Sequence, residues 1–361
     1  PKLTRHIRKF YQIKVRLKFT LQIQEGNNFN MKAAVLHAIG DLRVEEVPKP
    51  EKLGTDDVLI QVKYNGLCGT DATEFAKSSI MVPLEKPHPN SKHQGATILG
   101  HEFIGTVVEA GSNAKKMIGK RIACGAGVSC GSCAMCKAGR TNLCSSYYTL
   151  GLSTHGGLAE YVIAPQSICV LIPDTVSDES AALAQPLAVG IHGARRANIR
   201  SGDRVIVLGS GAIGSFVLVA LKKYGVHITA IDVSESRLAT AKLLGANATL
   251  LIKPEDSAAD LKKYFSDGAD VVIESSGAPG SAVKALALVK MGGNLLLMGL
   301  NKTPQDFPFV DAVLREIEIH TTVAHVCKDD IPEALELLES GEVADLLTDK
   351  TFKLEDSVAA F

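Results

Sequence analysis

An apolar strand that runs straight into a glycine turn limits the fold of this chain more than any other stretch. It reads Val205-Ile206-Val207-Leu208-Gly209-Ser210-Gly211-Ala212-Ile213-Gly214. Four consecutive apolar residues need cover on both faces, which a parallel sheet with helices on each side supplies. The alternation continues, with strands expected at 227–231, 271–273 and 294–298 and helices at 212–224, 234–244 and 282–289. Strand and helix in strict turn specify a doubly wound α/β domain. The glycines permit a tight turn and bring the N–H groups of a helix N-terminus close to a pyrophosphate. Asp232, eighteen residues past Gly214, stands where a carboxylate bonds both hydroxyls of an adenosine ribose and repels a 2′-phosphate. We therefore read an NAD site, in preference to NADP, from Gly209, Gly211, Ala212, Ile213, Gly214 and Asp232. Arg237 lies near enough to stack on the adenine, or else is a solvated helix residue.

Four of the eight cysteines fall within fifteen residues, as Cys130-x2-Cys133-x2-Cys136-x7-Cys144. In a chain of this size, read without a secretory leader, thiolate ligation of a metal is favoured over disulfides. Four thiolates around one ion form a structural zinc site, closed to substrate; a disulfide pair or an iron–sulfur cluster is the rival reading. A second set of donors is more open: Cys68-Gly69-Thr70-Asp71, Gly100-His101-Glu102 and, further on, Leu183-Ala184-Gln185-Pro186-Leu187. Taken singly, Cys68 is an inert thiol and His101 a core histidine. Beside a dinucleotide fold they read as zinc ligands, because a thiolate, an imidazole and a third donor with one open position make a catalytic zinc site. Zinc with nicotinamide is a complete alcohol-oxidising apparatus.

The 361 residues suffice for two domains, and no apolar run reaches the roughly 18–20 residues that span a bilayer. Charge is uneven beneath a net of zero: residues 1–30 hold seven Lys or Arg and one acid, the rest 32 bases and 38 acids. An acidic body argues against a nucleic-acid partner. In the basic leader, apolar residues take every odd position from Tyr11 to Ile23, the period of a strand. It is expected to be an extension without a catalytic role, Met31 being the natural start, with a genuine edge strand as the alternative. A cytoplasmic protein is expected, or a mitochondrial one if the leader is genuine. Residues 31–165 read as short strands and glycine turns, and 331–338 as an amphipathic helix.

Gly100-His101-Glu102-x2-Gly105-x5-Gly111, the four-cysteine lobe and the glycine turn follow one another in the order found in the zinc-containing medium-chain dehydrogenases, which the chain resembles over residues 31–361. Pro186-Leu187-Ala188-Val189-Gly190-Ile191-His192 is similar to their sorbitol, threonine and butanediol branch, and Pro83-Leu84-Glu85-Lys86-Pro87-His88-Pro89 to its butanediol members. The resemblance implies an α/β protein. A GroES-like, mostly-β catalytic domain would cover 31–187, its zinc lobe at 128–146, with residues 1–30 as an extension. A Rossmann domain would cover 188–325, and 326–361 would return to the catalytic domain, cut short at Phe361, with the active site in the cleft between domains. It further implies two zinc ions and NAD, zinc ligation by Cys68 and His101, and Glu102 as a supporting or exchanging ligand. Thr70 would bond the substrate hydroxyl, and Arg315 would lie near cofactor or substrate. Gln185 stands where the family has glutamate or cysteine. Thr73 stands where many alcohol dehydrogenases have histidine, which leaves the proton to Thr70 and the cofactor ribose, or to Glu74 through water. The expected activity is hydride transfer between NAD and a secondary alcohol or ketone, a vicinal diol or polyol, in a homodimer or homotetramer with no membrane partner. An aldose dehydrogenase is the alternative within enzymes, and a nucleotide-binding protein with a vestigial zinc site the alternative outside them.

Overall fold

Arg204–Leu208 forms the centre of a six-stranded parallel sheet because its apolar run is covered on both faces: Val205, Ile206, Val207 and Leu208 are all buried. The computed structural model describes residues 12–16, 29–77, 80–301 and 304–361, and for 12–16 only the backbone path. The sheet runs in the order Ala248–Leu251, His227–Asp232, Arg204–Leu208, Ala269–Glu274, Val289–Leu297, Glu318–Thr321. Every pairing in it is parallel. The chain first moves outward to one side of Arg204–Leu208 and then returns to the other. The order therefore reverses between Arg204–Leu208 and Ala269–Glu274, and sheets of this kind take ligands at the carboxyl ends of the strands at that point. Ile206, Leu208, Ile231, Val272, Leu286 and Leu295 meet in the core, each contributing about 1.5–3 kcal/mol by burial. Two strands the periodicity misses, Ala248–Leu251 and Glu318–Thr321, are the sheet's edges, mostly exposed and without an apolar run.

That sheet belongs to one of two compact units, Pro186–His325; the other joins the described residues up to Gln185 with Val326–Phe361. In this other unit, strands follow the order Cys169–Leu171, Arg121–Cys124, Glu102–Ala110, Asp57–Leu67, Gln12–Arg16, Thr348–Phe352, with Tyr161–Pro165 also on Asp57–Leu67. Asp57–Leu67 buries Leu59, Ile60, Val62 and Tyr64 and turns Lys63 outward, so one lapse of register would expose the core set. Gln12–Arg16 takes part in this sheet, antiparallel to Asp57–Leu67 and parallel to Thr348–Phe352. The leader thus supplies a strand with partners on both sides, where the sequence suggested an extension or an edge; the remainder of the expected strand, through residue 24, lies outside the described residues. Among the described residues, no helix is long and apolar enough to cross a membrane.

Candidate active site and metal centres

Register alone brings the first donor set together. Asp57–Leu67 ends immediately before Cys68, which caps the helix Gly69–Ala76. The neighbouring strand starts at Glu102, directly opposite Gly66. A Cβ on Gly66 would lie 2.3 Å from Glu102 Oε2, so the missing side chain is what gives the carboxylate its room. One ligand atom each of Cys68, His101 and Glu102 then lies within 4.8 Å of the others. His101 and Glu102 are buried. Thr70 Oγ1 stands 3.7 Å from Cys68 Sγ.

A residue outside the expected set organises these groups. Asp71 is completely buried. Its Oδ2 accepts the Cys68 N–H at 3.0 Å, and its Oδ1 stands 3.2 Å from His101 Nδ1. One carboxylate thereby holds the Cys68 segment by a hydrogen bond and stands at ion-pair distance from His101, where supporting carboxylates stand behind metal-bound imidazoles. Burial opposes charge on His101, but the charges of Asp71 and then Cys68 outweigh it and raise its pKa well above the ordinary value. Burial pushes the Glu102 carboxyl up to about 7, with His101 opposing and Asp71 reinforcing. A thiol, an imidazole and a carboxylate converging, the last two buried, form a donor set that suits zinc.

One neighbour departs from the sequence reading. Glu74 was a possible proton path through water. It is 1% exposed, and its Oε2 accepts three successive backbone N–H groups, from Ile80, Met81 and Val82, at 2.9, 3.1 and 3.1 Å. Its carboxylate is occupied as an anchor for that segment, which removes it from the relay. Thr73 donates its hydroxyl to Gly69 O at 2.8 Å, within its own helix. Gln185 is half-buried in the first turn of the helix Ala184–Arg196.

Cys130, Cys133, Cys136 and Cys144 also place their sulfurs within 4.8 Å of one another. The Cys130 and Cys144 sulfurs are 3.5 Å apart, close to the edge of roughly 3.7–3.8 Å that a tetrahedron with zinc–sulfur bonds of about 2.3 Å requires. Backbone N–H groups of Cys130 and Ser146 point at Cys144 Sγ, each at 3.3 Å. Hydrogen bonds from Ser132 and Cys133 bring the Cys130 thiol down to about 6. Donors aimed at sulfur favour thiolate, so this lobe too suits zinc.

In the other unit the glycine turn lies at the carboxyl end of Arg204–Leu208. Gly209 has φ +97°, and a Cβ on Gly214 would fall 1.9 Å from Gly209 O. Gly211 caps the helix Ala212–Leu221, whose first residues are Ala212 and Ile213. Asp232 is buried. Its Oδ2 accepts the Ser210 N–H at 2.7 Å and its Oδ1 the Ser234 N–H at 3.0 Å, while Arg237 Nη1 stands 3.6 Å from Oδ1. Arg315 does not join them. Its guanidinium pairs with Asp311 and donates to Leu286 O and Val289 O, and its carbonyl accepts the Gly292 N–H. Those partners stand where Val289–Leu297 begins. In a parallel sheet that is the edge opposite the glycine turn, so the expectation that Arg315 contacts the cofactor is corrected: it braces the sheet's amino-terminal edge.

Residues 54–174 match the family described as alcohol dehydrogenase GroES-like domain, and residues 212–340 the one described as zinc-binding dehydrogenase. The chain is 35% identical to a sorbitol dehydrogenase of Bacillus subtilis (strain 168) over 338 residues, 91% of this chain and 92% of that protein. It is 33% identical to an L-idonate 5-dehydrogenase of Vitis vinifera over 350 residues, 94% and 92% of the respective chains. The crystal structure of 2R,3R-butanediol dehydrogenase from Bacillus subtilis matches with a TM-score of 0.82 and 30% identity, covering 91% of this chain and 94% of that one.

Proposed function

The chain belongs to the zinc-containing medium-chain dehydrogenases, in their sorbitol and butanediol dehydrogenase branch, and from that premise we propose that it oxidises a secondary alcohol of a vicinal diol or polyol with NAD. The observation that carries this reading is the convergence of Cys68, His101 and Glu102 beside the Thr70 hydroxyl. In this reading Cys68 and His101 hold the catalytic ion, Glu102 supports it or exchanges onto it, and Gln185 is the remaining donor. Cys130, Cys133, Cys136 and Cys144 hold a second, structural ion. When bound, zinc lowers the pKa of an alcohol it contacts and the nicotinamide accepts the hydride.

The protein's own residues do the rest. Asp71 keeps His101 oriented through Nδ1. Burial of His101 and Glu102 keeps water from competing with the substrate hydroxyl. Thr70 hydrogen-bonds that hydroxyl and relays its proton. The glycine turn of residues 209–214 receives the pyrophosphate. A buried Asp232 carboxylate favours a ribose over a ribose phosphate, which supports NAD as the cofactor. An aldose dehydrogenase is the second reading, favoured by the neutral amide of Gln185.

A screen of NAD reduction over 2,3-butanediol, sorbitol, xylitol, threonine and glucose, run with metal analysis, tests the proposal. We expect turnover with a diol or polyol and about two zinc ions per chain. Turnover of glucose alone favours the aldose reading, and no reduction by a fully zinc-loaded protein overturns both.

A further inference from the structure

The peptide between Gly209 and Ser210 is held at both of its polar ends. Its carbonyl accepts the Ser275 hydroxyl at 2.7 Å, and its N–H donates to Asp232 Oδ2 at 2.7 Å. The two side chains come from opposite sides of the central strand: Ser275 follows Ala269–Glu274, and Asp232 ends His227–Asp232. Ser275 is itself fixed, since its N–H donates to Leu208 O at 3.0 Å. A Cβ on Gly214 would lie 2.9 Å from Ser275 Oγ, and one on Gly209 would lie 2.7 Å from Ser276 Cβ. The segment after Ala269–Glu274 is thus packed on the first and third glycines of the turn.

Behind it, Glu274 is 2% exposed and holds the segment in shape. Its Oε1 accepts the Ser276 N–H at 2.8 Å, the Ser276 hydroxyl at 2.5 Å and the Gly277 N–H at 3.0 Å. Its carbonyl accepts the Met298 and Gly299 N–H groups at 2.9 and 3.0 Å. Glu274 thus ties its own backbone to 298–299 and shapes the turn after it, and Ser275, next in the chain, carries that anchoring to the 209–210 peptide, whose N–H reaches Asp232.

We propose that Ser275 is a positioning residue for the dinucleotide: its hydroxyl sets the plane of the 209–210 peptide, and with it both the N–H groups of the glycine turn and the Asp232 carboxylate. The inference rests on the reading of this turn as the NAD site. Gly209 is buried, so removing the hydroxyl leaves its carbonyl without that donor, and tilting the peptide draws the Ser210 N–H off Asp232. One substitution loosens two parts of the cofactor site at once and touches none of the zinc donors.

The test is NADH titration by fluorescence, together with steady-state kinetics, on zinc-loaded, full-length wild type, Ser275→Ala and Ser275→Thr. Ser275→Ala should bind NADH about tenfold more weakly and raise KM for NAD by a similar factor. Its kcat at saturating NAD and its KM for the alcohol should stay within about twofold of wild type. Ser275→Thr, which keeps the hydroxyl, should recover most of the affinity. Unchanged NADH affinity in Ser275→Ala overturns the proposal. So does a fall in Tm and kcat with KM for NAD unmoved, because a plain folding brace behaves that way. Equal losses in the alanine and threonine variants also overturn it. Failure of the wild type itself to bind NADH is a separate outcome, and it removes the NAD reading and this inference together.

Discussion

Asp71 shows what residue types alone leave hidden. Cys68 and His101 become legible as ligand candidates only beside the dinucleotide fold, and Glu102 through the family resemblance. Asp71 closes the Cys68-Gly69-Thr70-Asp71 stretch without a role of its own there, and only the fold brings it to His101, thirty residues along the chain, at 3.2 Å. Glu74 errs in the other direction: its type suggests proton chemistry, whereas three backbone N–H groups occupy it. Gln185 carries the sharpest residue-level prediction. A neutral amide is a weaker zinc donor than a carboxylate, so Gln185→Glu should slow zinc loss to a chelator by roughly tenfold or more. Metal analysis over time checks this, and an unchanged rate would place Gln185 away from the ion.

At the level of elements, the interior strands are legible because burial on both faces leaves a continuous apolar run, as in Val205-Ile206-Val207-Leu208. Edge strands such as Glu318–Thr321 keep one side in solvent and lose that signal. Nor does sequence report pairing. That Glu102 faces Gly66 follows from the register of Asp57–Leu67 against Glu102–Ala110, and the register makes Gly66 a neighbour of the candidate site. Gly66→Ala would place a methyl 2.3 Å from Glu102 Oε2 and 3.1 Å from Glu102 Cβ. The carboxylate swings aside more easily than the strand moves. The variant should lose about 1–3 kcal/mol of stability, and its turnover should fall by more than its KM for NAD changes. Thermal melting and kinetics read the two effects separately, and wild-type turnover would show that Glu102 does not act at the ion.

On the scale of the whole molecule, one face is more apolar than a lone chain requires. The helix Phe309–Leu314 exposes Phe309, Val310, Val313 and Leu314 at 68–74%. It precedes Glu318–Thr321, which ends its sheet with no further strand among the described residues. An unpaired strand edge beside an apolar patch is a surface that the homodimer or homotetramer expected from the resemblance would cover. Val313→Glu with Leu314→Glu should shift the mass by light scattering from dimer to monomer; an unchanged dimer places the interface elsewhere.

In the proposed mechanism, turnover depends on an ion held by Cys68, His101 and Glu102, while NAD binding belongs to the other unit. Paired measurement of NADH affinity and alcohol turnover in Cys68→Ala tests it most directly. The variant should keep NADH affinity within about twofold of wild type and lose turnover at least about a hundredfold; full turnover in it would show that no ion held by Cys68 drives the reaction.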